Sequence, residues 1–156
     1  MRYYLTLLIC LMLSCNSGID GFYKTSHTED IDVLPLIKPY RLWTPIPNKS
    51  TWALDFSKKV SVGTDLHISQ MQVCQINVNN GIIYGHCAQQ SQAMNHAYFV
   101  IIPGSHVEKI FESKYTWDAY LRAHNNNSDV LYDVNDVYAR FNEKGYQELP
   151  WSKEIE

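Results

Sequence analysis

The stretch Gln72–Cys87, "QVCQINVNNGIIYGHC", decides the fold because an Asn-Gly pair separates two alternating runs of residues. Asn80-Gly81 is the strongest short-range signal for a two-residue hairpin, since a type I′ turn requires positive φ at both central positions. With this pair in the turn, Asn79 faces Ile82 and Ile76 faces Gly85. We therefore predict an antiparallel hairpin centred on Asn80-Gly81.

The side chains of this hairpin separate into two faces, as period-two alternation requires. One face is almost wholly apolar and carries Cys74, Ile76, Val78, Ile83, Gly85 and Cys87. The other is mostly polar and carries Gln75, Asn77, Asn79, Ile82, Tyr84 and His86. A slip of one residue would mix the two faces, so the pattern supports the register that the turn predicts.

The two cysteines of the stretch lie opposite each other in this register. Cys74 and Cys87 fall on a non-hydrogen-bonded pair, where the Cα atoms are ~4.5 Å apart, within the range of a disulfide. The alternatives are a redox site, which lacks the short Cys-x-x-Cys spacing, and a metal site that also uses His86 and His96. The compartment of the chain decides among them.

The N-terminal residues bear on that compartment. Arg2 makes a short positive region, and residues 3–13 form an apolar run too short to span a bilayer, which needs about 20 residues. Ser14 and Cys15 follow. Residues 1–15 resemble a bacterial lipoprotein signal peptide, although Met12 stands where that pattern prefers Leu. An ordinary secretory signal or a short membrane anchor is the alternative.

The resemblance implies a signal peptide over residues 1–14 and a mature chain that begins with acylated Cys15. Asn16 in place of Asp implies the outer membrane of a bacterial envelope, with the domain facing the periplasm. In that oxidising compartment we expect Cys74 and Cys87 to form a structural disulfide. Residues 15–33 are polar after the cysteine and are expected to be a flexible tether, which leaves residues 34–156 as a single domain.

Strand patterns come first in this domain and helix patterns last. "PYRLWT" and "STWALDF" predict short strands, "KKVSVGTD" a loop, and "AYFVII" a central strand buried on both faces. Two amphipathic helices follow, one after Ser113 with a stripe from Trp117 to His124, and one from the N-cap Asp133 to Gly145. The sequence therefore predicts an α+β fold with one antiparallel sheet of about five strands, two C-terminal helices packed on one face of it and one hairpin disulfide.

Composition and motifs narrow the function. Without Arg2 the chain has 12 basic and 16 acidic residues, a balance of −4, which disfavours nucleic acid as a partner. The six histidines lack the spacing of a helical zinc motif, and no G-x-S-x-G sequence occurs. We therefore predict no catalytic residue, no metal and no cofactor.

The possible binding residues are Tyr84, His86 and His96. His86 projects from the polar face of the hairpin, and His96 ends the polar loop of residues 88–96, which is either a recognition loop or a solvated connection. Tyr84 is either a partner contact or a strand-favouring residue.

Three classes of function remain open. The first, which we favour, is a lipid-anchored, non-catalytic periplasmic protein that binds a protein partner, for example as an inhibitor or immunity protein against a periplasmic toxin. The second is a small hydrolase or metal-dependent enzyme that uses His86 and His96. The third is an envelope structural or glycan-binding protein, which would require exposed aromatic rings in place of buried Trp43, Trp52 and Trp117.

Overall fold

The computed structural model describes residues 21–46, 51–62, 66–87 and 97–155, which form two antiparallel sheets and two helices. The α+β class is confirmed. The single sheet is wrong, because the strands divide between a four-stranded and a five-stranded sheet. Within the described residues, neither helix is long and apolar enough to cross a membrane.

The first sheet follows the order of the chain, and its neighbouring strands are all antiparallel. Its strands are β1 (Ile31–Pro35), β2 (Arg41–Pro45), β3 (Trp52–Val62) and β4 (Leu66–Val73). β1 begins inside the segment expected to be a tether, and Tyr23 in the preceding 3-10 turn is already buried. Ordered structure therefore begins before residue 34.

β3 is longer than the sequence pattern predicts. Residues 58–62 of the expected loop "KKVSVGTD" belong to this strand, and their register against β4 shifts between Asp55 and Val60. Lys58 and Lys59 are exposed, so they interrupt the apolar pattern without ending the strand. An irregularity of this kind bends a strand locally and changes the direction in which its side chains point.

The second sheet contains the predicted hairpin at its centre. Its strands are β5 (Gln75–Asn79), β6 (Ile82–Cys87), β7 (Ala97–Ile102), β8 (Val107–Phe111) and β9 (Tyr132–Asp133), in the spatial order β8-β7-β6-β5-β9. The predicted register is confirmed: Asn79 pairs with Ile82 and Ile76 with Gly85. Asn80 and Gly81 both have positive φ, as the turn requires. β7 is an interior strand, as "AYFVII" predicts.

The two sheets bury a common core between them. The first sheet contributes, among others, Leu34, Leu42, Trp52, Leu54 and Met71, and the second contributes Ile76, Val78, Ile83, Phe99 and Ile101. The middle of the predicted apolar face of the hairpin therefore lies in this core, whereas Cys74 at its end is exposed.

Part of the predicted polar face of the hairpin is also buried, although Gln75 is exposed. Ile82 and Tyr84 pack with Val100 against Trp117 and Leu121 of helix α1 (Lys114–Ala123). This helix covers the outer side of the five-stranded sheet. The middle of the hairpin is therefore covered on both faces, which the alternation of polar and apolar residues did not indicate.

The second helix, α2 (Val134–Lys144), packs in the main core through Val134, Val137, Tyr138 and Phe141. The two helices thus contact different cores, and the expectation that both lie on one sheet face is wrong. The predicted caps of α2 are confirmed: the Asp133 side chain accepts hydrogen bonds from two backbone N–H groups, and Gly145, with positive φ, ends the helix.

Ser113 is in the N-cap position of α1, as predicted, but its side chain makes no capping hydrogen bond. The buried stripe of α1 ends at Leu121, because His124 is exposed.

Trp151 joins the end of the fold to its beginning. Its side chain is buried in the main core, and its indole Nε1–H donates to the backbone oxygen of Pro35 at 3.3 Å. Nearby, the Glu154 carboxylate accepts a hydrogen bond from the Gly81 backbone N–H at 2.9 Å. The C-terminal end of the fold therefore packs back on the first sheet.

Candidate functional site

A cleft borders β1, β2 and β3 of the four-stranded sheet, and its lining combines exposed side chains with residues of the main core. It has a volume of about 550 Å³. The lining residues that define its character are Ile31, Tyr40, Arg41, Trp43, Asp55 and Phe56. β2 positions two of them by simple alternation: Leu42 and Thr44 are buried, whereas Arg41 is exposed and Trp43 half-buried. The cleft therefore combines aromatic side chains with one exposed cation.

Trp43 is held in place by hydrogen bonds along the sheet. Its indole Nε1–H donates to Asp55 Oδ2 at 2.9 Å, and the Gln70 side-chain amide donates to Asp55 Oδ1 at 2.8 Å. Both carboxylate oxygens of Asp55 thus accept a bond. The ring of Trp43 is fixed by its neighbours on β3 and β4 before any partner arrives.

Arg41 is also oriented by an aromatic neighbour. Its guanidinium carbon lies 4.5 Å from the ring centre of Phe22, a cation–π arrangement. Lys38 Nζ lies 5.8 Å from the same ring. The edge of the cleft therefore carries two positive charges, those of Arg41 and Lys38, and both side chains lie against the ring of Phe22.

A buried carboxylate supports the floor of the cleft. Glu108 of β8 accepts hydrogen bonds from the Tyr40 hydroxyl at 2.9 Å, the Ser57 backbone N–H at 2.6 Å and the Ser57 hydroxyl at 2.9 Å. Burial raises the pKa of the Tyr40 hydroxyl, and the neighbouring Glu108 raises it further. These hydrogen bonds connect the two sheets at the irregular part of β3 and hold Tyr40 and Ser57 of the cleft lining in place.

Tyr84, one of the predicted binding residues, has no exposed surface. Its hydroxyl accepts a hydrogen bond from the Asn77 side-chain amide at 2.9 Å. Burial raises the pKa of this hydroxyl, while the polar groups of Ser128, Asn126 and Asn77 oppose the rise. This placement favours the interpretation of Tyr84 as a structural strand residue.

His86 is half-buried and stacks on Tyr98, with ring centres 4.4 Å apart. His96 and the predicted polar loop of residues 88–96 lie outside the described residues, as do Cys15 and the segment predicted to be a signal peptide. The predicted convergence of His86 and His96 therefore stays a prediction. Among the residues that the structure describes, no group of three or more His, Cys, Asp or Glu side chains could hold a metal ion.

The tryptophans also bear on the glycan-binding alternative. Trp52 and Trp117 are buried, and their indole N–H groups donate to Asn135 Oδ1 and to the Phe99 backbone oxygen. Only Trp43 of the three named for that alternative keeps an accessible ring. Burial of the other two counts against glycan binding through a row of exposed aromatic rings.

Sequence reasoning missed Arg41 and Asp55 as site residues, and it named Trp43 only for the glycan-binding alternative. The alternation in "RLWTP" signals that Arg41 and Trp43 share one face of a strand. The pairing of β2 with β3, which brings Asp55 to Trp43, depends on a register that no local motif fixes.

Comparison with protein-family models, with curated proteins and with solved structures finds no match to this chain.

Proposed function

We propose that this chain is a lipid-anchored protein of the bacterial envelope whose domain binds a protein partner through the Arg41–Trp43 cleft. The single observation that carries the proposal is the preformed arrangement of Trp43, Arg41 and Tyr40 in one cleft. Tryptophan, tyrosine and arginine are the residues that contribute most to protein–protein binding energy.

Preorganisation supports a binding role for this surface. Ordering a mobile side chain at an interface costs ~0.5–1.5 kcal/mol. Trp43 is already held by Asp55, and Arg41 already stacks on Phe22, so both avoid part of this cost. The Asp55 carboxylate is engaged by two donors, which leaves Arg41 as the charged group directed to a partner. The expected partner segment presents an apolar side chain to the cleft and a carboxylate to Arg41.

Within this class, we propose that the partner is a toxin that enters the periplasm and that the chain acts as its inhibitor or immunity protein. A small acidic domain at the membrane surface would meet such a protein after it enters. The lipid anchor at Cys15 and the outer-membrane location belong to the same proposal and rest on the resemblance of residues 1–15 to a lipoprotein signal.

Capture after crosslinking tests the binding role. The full-length protein is compared with two variants. Arg41→Glu reverses the charge of an exposed side chain in the cleft. The control, Tyr115→Ala, removes a side chain on α1 that is 78% exposed. We expect the wild type and the control to capture one protein and Arg41→Glu to lose at least about nine-tenths of it. Capture that is unchanged by Arg41→Glu, or no captured protein, would contradict the proposal.

The hairpin disulfide also remains a proposal. The register of β5 and β6 extends toward Cys74 and Cys87, and the Cys74 backbone N–H donates to the His86 oxygen at 3.2 Å, beside the expected pair. Intact mass of the membrane-extracted protein tests both features at once. We expect a chain that begins at acylated Cys15 and gains two hydrogens on reduction. A mass that retains residues 1–14, or two free thiols, would refute the anchor or the disulfide respectively.

A further inference from the structure

The last strand of the four-stranded sheet has one open edge. β4 (Leu66–Val73) pairs with β3 on one side, and in the part of the chain that the structure describes no strand lies beside its other side. The strand has eight residues and is therefore about 27 Å long. Its edge ends at Cys74, whose backbone N–H donates to the His86 oxygen of β6 at 3.2 Å. An open strand edge presents backbone N–H and C=O groups that can pair with a further strand.

The other three edge strands of the described sheets carry features that discourage such pairing. β1 has five residues, ends in Pro35 and is bridged at Asp32 by His27. β8 carries Glu108, whose carboxylate accepts from the Ser57 backbone N–H of β3, and β9 has two residues only. Short length, proline, charge and cover by another segment all protect a sheet edge. β4, with the sequence "LHISQMQV", is the longest of the four edge strands and contains neither proline nor a charged residue.

The order of apolar and polar residues in β4 is the same from either end. It reads apolar, polar, apolar, polar from Leu66 inward and again from Val73 inward. The pairing with β3 shows that this order also describes one face of the sheet, because the apolar residues lie opposite side chains buried in the main core. These core residues of β3 are Trp52, Leu54, Val60 and Val62. A second β4 that runs antiparallel to the first therefore matches its faces at every position.

We propose that two copies of this chain form a symmetric dimer by antiparallel pairing of their β4 strands. The two four-stranded sheets then become one continuous sheet, and each copy contributes the same surface, as in a closed two-fold interface. With the two-fold axis between Ser69 and Gln70, apolar residues face apolar residues and polar residues face polar ones, whereas a slip of one residue would oppose the two kinds. The pairs, each with the residue of the second copy named second, are Leu66 with Val73, His67 with Gln72, Ile68 with Met71 and Ser69 with Gln70.

Two properties of β4 favour a second copy as the occupant of this edge. No residue of the strand is charged, so two copies do not repel each other there, although the whole chain has a net charge of −3. Leu66 lies opposite the buried Val62 but is itself 39% exposed. In the dimer, Val73 of the second copy lies beside Leu66 and reduces that exposure. Arg41 and Trp43 of the proposed cleft lie on β2, two strands from this edge, so the dimer and the cleft are independent.

Sedimentation velocity of the full-length protein in a density-matched detergent tests the dimer. We expect a dimer with a dissociation constant below about 100 µM, since edge pairing buries less surface than a standard protein interface. The variant Ser69→Lys/Gln70→Lys sets like charges directly opposite each other beside the two-fold axis and should raise this constant at least about tenfold. The control Ser105→Lys/Gln147→Lys adds the same charges at exposed positions outside β4 and should leave the constant unchanged.

A mixture of complementary chains separates loss of pairing from loss of folding. The double-lysine variant is mixed with Ser69→Glu, whose carboxylate lies opposite the lysine substituted at position 70 in the dimer. We expect a heterodimer at least about tenfold tighter than the homodimer of the double-lysine variant, which a chain that failed to fold would not form. The proposal is overturned by monomer alone up to about 200 µM, by a dimer that the double-lysine variant does not weaken, or by a mixture without heterodimer. Arg41→Glu should dimerise like the wild type, so loss of partner capture and loss of the dimer are distinguishable.

Discussion

Gly85 is the position where the smallest chemical change should have the largest effect on stability. It lies in β6 opposite Ile76, and a Cβ atom added there would be 2.4 Å from the Gln75 backbone oxygen and 2.7 Å from the ring of Phe99. Real Cβ atoms essentially never approach other heavy atoms closer than 3.0 Å. The substitution Gly85→Ala therefore forces β5 and β6 apart by about 0.6 Å or distorts both strands.

The magnitude of the effect follows from what surrounds the clash. One obstacle is backbone, which cannot rotate away, and the other is Phe99, which has no exposed surface and packs in the main core. Overpacking a core costs typically ~1–3 kcal/mol and more where the backbone must move. We expect Gly85→Ala to reduce the free energy of unfolding by at least about 3 kcal/mol, which lowers the melting temperature of a domain this size by roughly 6–12 °C.

Substitutions at two other glycines distinguish the effect of a steric clash on stability from the effect of backbone strain. Gly104 has open space around its Cβ position and Gly81 has open space but a positive φ of 71°. Gly104→Ala should change stability by less than about 0.5 kcal/mol, and Gly81→Ala should cost ~1–2 kcal/mol for the left-handed conformation alone. Urea unfolding of the three variants, followed by tryptophan fluorescence, gives the comparison. The reasoning is refuted if Gly85→Ala is no less stable than Gly81→Ala.

Three further predictions concern the polar groups of the core and the helix caps. Glu108→Gln should lower the free energy of unfolding by ~1–3 kcal/mol, because a neutral amide replaces a carboxylate that accepts three hydrogen bonds. Urea unfolding measures this change, and a change below about 0.5 kcal/mol would contradict the prediction. Asp133→Ala should cost ~1 kcal/mol through loss of the α2 N-cap, and Asp133→Ser should recover most of this in the same assay. The free energy of unfolding should fall as pH rises above about 10. Burial raises the pKa of three tyrosines in the folded state, so at high pH the unfolded chain releases protons that the folded chain retains. Urea unfolding between pH 8 and 11 should show this fall, and a flat profile would contradict the prediction. The tyrosines concerned are Tyr40, Tyr84 and Tyr138.

The parts of the fold that follow from the sequence are those fixed by neighbouring residues. The hairpin register depends on Asn80-Gly81, whose backbone requirement is local, and the limits of α2 depend on Asp133 and Gly145. The α+β class follows from the change of period after β8. In each case the controlling interaction joins residues a few positions apart.

The parts that could not be predicted depend on partners far away in the sequence. Asn77 and Tyr84 look like residues of a solvated face, yet they bond each other beneath α1 and are buried. The division into two sheets places Glu108 beside Ser57, which is 51 residues away in the sequence, and no local motif predicts that contact. The candidate cleft was missed for the same reason, since Trp43 and Asp55 meet only through sheet pairing.

The position of Trp151 has a consequence for when the chain can finish folding. This side chain closes the main core against Pro35, which is synthesised 116 residues earlier. Until residues near position 150 have been synthesised, the first strand lacks this buried neighbour. The main core therefore stays incompletely packed until late in synthesis. We therefore expect the main core to reach its full stability only when synthesis of this domain is nearly finished.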